Sequence, residues 1–489
     1  MPSAKSSGAR LTEGSISRHL RSLTVPMTFG ILSMVSKNLV DTYFVAQLGT
    51  EALSAISFTF PVVMLLMSFS VGLGAGASSV VSRILGSGDP AKVQRSSTDA
   101  LVLSVLLVAI LCVVGLASLR PLFSALGARG PVLELVIAYM QPWFVGLMFL
   151  VVPMLGNSLC RAAGEGTWPG LIMVSAAAIN AILDPFLIFG WAGLPELGIA
   201  GASTATVVSN LCATLGSLWL LRREDLLTMR IPSPSEAWAS WKPMLAIGLP
   251  ASGANMVNPL GITLVTAMLA RISDTAVAGF GVAGRLEGLS LLTMLALSAA
   301  IGPIVGQNVG AKRFDRVREA MQVSFRVCIR IGMVTAALLA VLGPWVTPLF
   351  DGSVDVRSTA NLYLWLVPVS FAGYGINIVQ AAAFNAVGRP SLAAGLTVAR
   401  MFGVYLPAAW IGMMVTGEPA GVFVGAVVGN VAGGLLGWLG SRSMMRRLQR
   451  EGSCRDPFYR NEPTKSEERS PVADWDLAER PANPAKPGV

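Results

Sequence analysis

The sequence predicts an all-α polytopic membrane protein whose twelve transmembrane helices form two pseudo-symmetric six-helix bundles. Composition is the first reason: 53% of the 489 residues are hydrophobic and only 13% charged, against roughly 25% charged in soluble domains. Mean hydropathy is +0.64. Spacing is the second. Apolar runs long enough to cross a bilayer, about 20 residues each, fall at 23–46, 52–82, 99–119, 132–160, 168–190, 197–221, 243–270, 275–307, 322–345, 358–386, 391–415 and 419–446. The third reason is an internal repeat. Pro26 and Pro250 stand 224 positions apart, as do Gly86 and Gly310, Tyr139 and Tyr363, and Gly164 and Gly388. An even number of helices per repeat brings both halves into the membrane from the same side. An axis along the membrane normal then relates them, with a cavity between.

In chain order, residues 1–22 read as a polar, basic cytoplasmic segment that leads directly into the first span, with no removable signal peptide expected. Residues 23–221 make the first lobe, 222–242 a charged, proline-containing linker, and 243–446 the second lobe. Residues 447–489 are polar and proline-rich and read as a disordered cytoplasmic tail. Lys and Arg crowd into one set of loops, whereas the other set holds only Arg120, Arg129, Arg271 and Arg357. That asymmetry predicts a multi-pass protein of the plasma (inner) membrane with both termini cytoplasmic. It also accounts for the net charge of +9 without a nucleic-acid partner. The clusters KRFDRVR (312–318) and RRLQR (446–450) are expected to sit against the inner face of the lipid bilayer. The five cysteines show no metal-ligand spacing, so no metal and no cofactor are expected. GFGVAG (279–284) lies in an apolar run with no preceding strand, and Gly72 and Gly76 likewise read as close helix packing.

The ionisable residues inside the apolar runs carry the functional signal. Asn180 and Asp184 are four apart, so they stack on one helical face. Pro185 follows at once and loosens the helix there. Asp41 supplies a second acid, with Lys37 one turn before it on the same face. A carboxylate near the bilayer centre costs roughly 2.5–3.5 kcal/mol on insertion scales, so it is rarely present without a partner or a task. The repeat register places Val265 opposite Asp41 and no acid opposite Asp184. Ion coupling is therefore expected in the first lobe alone. Arg285 and Glu287 fall inside the eighth run as candidates for a cavity or for interhelical structure, and Arg400 reads as structural.

With these residues in view, the chain resembles the multidrug and toxic compound extrusion (MATE) family, in particular its DinF-like branch, from about residue 15 to 446. The motifs that carry the resemblance are NLVDTYFVAQLG (38–49), GLGAGASSVVSRILGSGD (72–89), RAAGEG (161–166), INAILDP (179–185), GIAGASTATVVS (198–209) and VGQNVGAKRFDR (305–316). The resemblance implies a MATE-like fold exporting amphipathic, often cationic, small molecules against inflow of protons or sodium. It places ion-site positions on Asn38, Asp41, Asn157, Asn180, Asp184 and Thr206, and a cavity-lining position on Met173. Lys37 departs from the branch, which usually carries a tyrosine there. An ammonium beside Asp41 competes with sodium.

The expectation is a monomeric, proton-coupled exporter with no enzyme activity. Asp41 and Asp184 share protons within a shell of Asn180, Asn157, Asn38 and Thr206, and Pro26 and Pro185 act as hinges. A sodium-coupled exporter of the same fold and a flippase for lipids or lipid-linked sugars are the alternatives.

Overall fold

In the computed structural model, residues 9–230, 232–350 and 353–451 are described. The described residues up to 445 form one compact unit. The expected tail lies outside the described residues from 452 onward.

The first repeat contains α1 (Ile16–Ala46), α2 (Thr50–Ser87), α3 (Pro90–Ala125), α4 (Gly130–Val145), α5 (Leu147–Ala162), α6 (Thr167–Phe189) and α7 (Ile199–Arg223). The second contains α8 (Pro234–Ala270), α9 (Asp274–Ser290), α10 (Leu292–Gly310), α11 (Phe314–Val346), α12 (Val354–Leu366), α13 (Phe371–Ala386), α14 (Pro390–Val398), α15 (Leu406–Thr416) and α16 (Pro419–Glu451). By length and apolarity, eleven of these helices or helix runs can cross a membrane, and the bent pair α4–α5 makes a twelfth. The pair bends by 49° at Gly146, where an added Cβ would collide with Val207 of α7. A seven-residue π-helical turn, Ala399–Tyr405, joins α14 to α15.

Several boundaries differ from the apolar runs for local reasons. α1 begins at Ile16 rather than 23 because Ile16 and Leu20 are buried, so the amphipathic stretch before the lipid continues the helix. The linker expected over 222–242 is shorter. Ser233 and Glu236 cap each other's backbone N–H groups, and Pro234 occupies the first turn, so α8 starts there. The eighth span breaks between Ser290 and Leu292, and Pro368–Ser370 interrupts the tenth.

Each repeat has its own apolar core. One gathers Phe123, Met140, Phe144 and Ile188 of the first repeat; the other gathers Phe280, Tyr363, Phe371 and Phe423 of the second. The repeats meet along α2, which packs on α8, α10 and α13, and along α1 against α10. Gly86 of α2 sits on the Gln307 carbonyl of α10, while its repeat mate Gly310 of α10 sits on the Arg83 carbonyl of α2. A Cβ at either position would strike backbone. The pair recurs in the sequence because a pseudo-two-fold seam makes the same demand on both helices. Gly164 and Gly388 recur for a different reason: both hold left-handed φ, +90° and +80°, just past α5 and α13.

Ser87, exposed beside Gly88, and Ser124, exposed near the end of α3, lie at opposite ends of that bundle. In intact cells, Ser124→Cys should react with an impermeant maleimide and Ser87→Cys should not. Inside-out vesicles should reverse the pattern. Labelling of both from one side would contradict the topology.

Candidate functional site

The site forms where α1, α6 and α7 converge. Small residues set the approach of α1 to α6: a Cβ at Gly170 would lie 2.6 Å from the Pro26 carbonyl, and one at Gly30 would lie 3.0 Å from Met173 Sδ. Such contacts bring the backbones close enough for short acidic and amide side chains to meet across the interface.

Asn180 and Asp184 are both fully buried, and Thr206 of α7 is 6% exposed. The Asn180 amide is satisfied when its oxygen accepts the Thr206 N–H at 3.1 Å and its nitrogen donates to Asp41 Oδ1 at 2.8 Å. Lys37 Nζ lies 3.8 Å from Asp41 Oδ2 and donates to Thr206 Oγ1 at 3.2 Å. Asp41 and Asp184 approach each other across the α1–α6 interface closely enough for each to act on the other's charge. Asp184 Oδ2 is buried with no hydrogen-bond partner. A carboxylate only accepts hydrogen bonds, so two that touch each other are complementary when one carries a proton. The cluster sums to a charge of −1 with both acids ionised and Lys37 protonated, and one proton neutralises it.

The structure thus brings together Lys37, Asp41, Asn180, Asp184 and Thr206. Two of the expected residues are not in the cluster. Asn38 is exposed, and among the described residues its side chain makes no hydrogen bond to either acid. Asn157 is buried on α5 with Oδ1 unpartnered, and among the described residues it makes no hydrogen bond to either acid. Met173 is half-buried and lies against Gly30 of α1. α1 and α6 run through Pro26 and Pro185 without a break. Each proline still leaves the carbonyl one turn earlier without its helical donor.

One participant was not recognised from the sequence. Tyr139 of α4 is within electrostatic reach of both Asp41 and Asp184. The signal was present in the repeat, because its mate Tyr363 donates a hydrogen bond to Glu287 in the second repeat. Val265, the counterpart of Asp41, is 1% exposed in the apolar core. Arg400 binds Asn430 and Asn258 and lies 5.1 Å from the Tyr374 ring centre, tying α8, α13 and α16 to the π-helical turn. Arg285 is exposed, so the two charges of the eighth span have separate surroundings.

Twelve spans in two repeats, with a buried Asp184 and a half-buried Asp41 in one of them, define a polytopic membrane transporter of small molecules. The chain belongs to the MatE family, whose model matches residues 26–186 and again 250–411, reproducing the 224-residue repeat at both starting points. It is 36% identical over 408 residues to an FAD transporter of Shewanella oneidensis, covering 83% of this chain and 90% of that protein. It is 27% identical over 381 residues to the multidrug export protein MepA of Staphylococcus haemolyticus, covering 77% and 83%. The fold matches the Vibrio cholerae MATE transporter VcmN in its bent form, with a TM-score of 0.84 at 28% identity over 89% of this chain and 98% of that one. A transporter structure from Pyrococcus furiosus matches with a TM-score of 0.84 at 26% identity, over 92% and 100%.

Asn180→Ala would leave Asp41 Oδ1 without its amide donor, at about 1–3 kcal/mol for a polar group left unpaired. Its thermal midpoint in detergent should fall by several degrees, while Asn38→Ala should match the wild type. Equal midpoints for all three proteins would mean the amide does not bridge α1, α6 and α7.

Proposed function

We propose that the protein is a proton-coupled exporter that alternates access between its two repeats, in a plasma (inner) membrane with both termini cytoplasmic. The supporting observation is the acid pair shared by α1 and α6 with a resident ammonium beside Asp41. Lys37 donates to the Thr206 hydroxyl and lies beside Asp41, so an ammonium already stands where a sodium ion would approach these two oxygens. A proton needs only the Asp41–Asp184 contact. In this reading a proton entering from outside neutralises the cluster and weakens its grip on Lys37. The α1–α6 contact then shifts about the carbonyls freed by Pro26 and Pro185, and cargo is released outward. One proton crossing about 100 mV supplies roughly 2.3 kcal/mol, enough for a cargo gradient of about 50-fold.

The cargo reading follows the comparisons. The relative at 36% identity is named for FAD, and multidrug export names appear at 24–27%. We therefore favour an amphipathic flavin dinucleotide, with cationic drugs as the second reading. Arg285 supports the first. A charged side chain on a membrane-spanning helix faces a water-filled cavity rather than lipid, and a guanidinium there suits a pyrophosphate.

In proteoliposomes with an imposed pH gradient, Asp41→Asn and Asp184→Asn should each assemble normally and lose at least tenfold in transport, since an amide keeps the shape and cannot titrate. Full transport by either variant would remove that residue from the coupling site. Wild-type transport should not respond to sodium at constant ionic strength, whereas Lys37→Met, with its cation gone, should become sodium-responsive. Sodium dependence of the wild type would shift the reading to sodium coupling. Arg285→Gln should raise the KM for FAD about tenfold and leave ethidium transport unchanged. Transport of ethidium but not FAD by the wild type would establish the drug reading instead.

A further inference from the structure

The residues before α1 form a strap across the seam between the repeats. Leu11 is 1% exposed. Its N–H donates to Gln307 Oε1 at 2.9 Å, and its carbonyl accepts from Asn308 Nδ2 at 3.1 Å and Arg316 Nη2 at 3.3 Å. Arg313 Nη1 donates to the Thr12 carbonyl at 2.7 Å, and Arg316 Nη1 to the Gly14 carbonyl at 2.9 Å. All of these partners belong to the second repeat. Toward the first repeat, Arg10 Nη2 meets Glu224 Oε2 at 2.9 Å, and the Leu11 side chain lies where a Cβ on Gly164 would touch it. Gln307 Nε2 donates to the Ala162 carbonyl at 2.7 Å, so one fully buried amide joins the strap, α10 and α5.

Within the KRFDRVR cluster, Arg313 and Arg316 are engaged with the main-chain carbonyls of Leu11, Thr12 and Gly14. The segment has no helix or strand of its own to satisfy those carbonyls, so the arginines and Asn308 take that role. Gln307 and Asn308 are themselves fully buried. Parting the repeats at this end therefore breaks either the bonds to α10–α11 or those to Glu224 and Ala162, and leaves buried polar groups unpaired.

We propose that residues 9–14 are a latch that holds the two repeats closed at the cytoplasmic end, and that its release controls opening toward the cytoplasm. The proposal rests on the alternating-access reading. The latch acts on the seam and not on the acids. Its state is therefore measurable without cargo or gradient, and its failure is distinguishable from a failure of proton coupling.

Ser82 reports on the seam: it is fully buried and faces Gly306 of α10. Ser82→Cys in a full-length protein otherwise free of cysteine should react slowly with a maleimide added from the cytoplasmic side. Deleting residues 1–14, or combining Arg313→Met with Arg316→Met, should raise that rate about tenfold or more, while the rate at the exposed Ser87→Cys stays constant. The arginine variant carries the test if the deletion does not assemble. An unchanged Ser82→Cys rate in an assembled variant, with Ser87→Cys equally reactive throughout, would overturn the proposal.

Discussion

Two carboxyl groups must be held against each other in a medium that cannot solvate them, and the first repeat is arranged around that requirement. An isolated buried carboxylate is costly, and its neighbours must supply donors. Here the donors come from two helices, Lys37 on α1 and Asn180 on α6, and Thr206 on α7 positions both, its hydroxyl accepting from Lys37 and its N–H donating to the Asn180 oxygen. The amide of Asn180 is the hub, since it bonds α1 and α7 from α6. Gly30 and Gly170 let α1 and α6 approach to carbonyl contact, without which the acids would be too far apart to share anything. The second repeat shows what the same scaffold does without that task. It places Val265 in the apolar core at the position of Asp41.

The seam between the repeats supplies the second half of a transport cycle, an interface that has to be both tight and separable. Close glycine contacts give α2 its fit against α8 and α10 without long interdigitating side chains that would have to unthread. Polar bonds then add specificity at one end: Ser79 Oγ to the Asn385 carbonyl, Gln307 to Ala162, and the segment before α1. Coupling requires the acid cluster and this seam to prefer different arrangements in different charge states. α1 is the physical link, because it carries Asp41, packs on α10 and continues into residues 9–14.

Much of this was legible in the sequence. Apolar runs and the 224-residue offset fixed the number of spans and their pairing, because lipid leaves a chain few other solutions. Asp41, Asp184, Asn180 and Lys37 stood out as polar residues in apolar runs. Tyr139 did not, since a phenol in an apolar run looks like ordinary core, and only its nearness to the two acids sets it apart. The helix breaks at Gly146 and Ser290 depend on neighbouring helices, so no local pattern marks them. The segment before α1 looked like a polar leader because its partners lie about 300 residues away in α10 and α11.

Substrate-driven proton movement is the most direct test of the central claim, that the Asp41–Asp184 contact carries the coupling ion. Proteoliposomes loaded with a pH dye, without sodium and without an imposed pH gradient, are given an outward cargo gradient under voltage clamp by potassium and valinomycin. The account predicts lumenal acidification that begins with cargo efflux, scales with it, and disappears in Asp184→Asn. Cargo efflux at the same rate with no change in lumenal pH would contradict it.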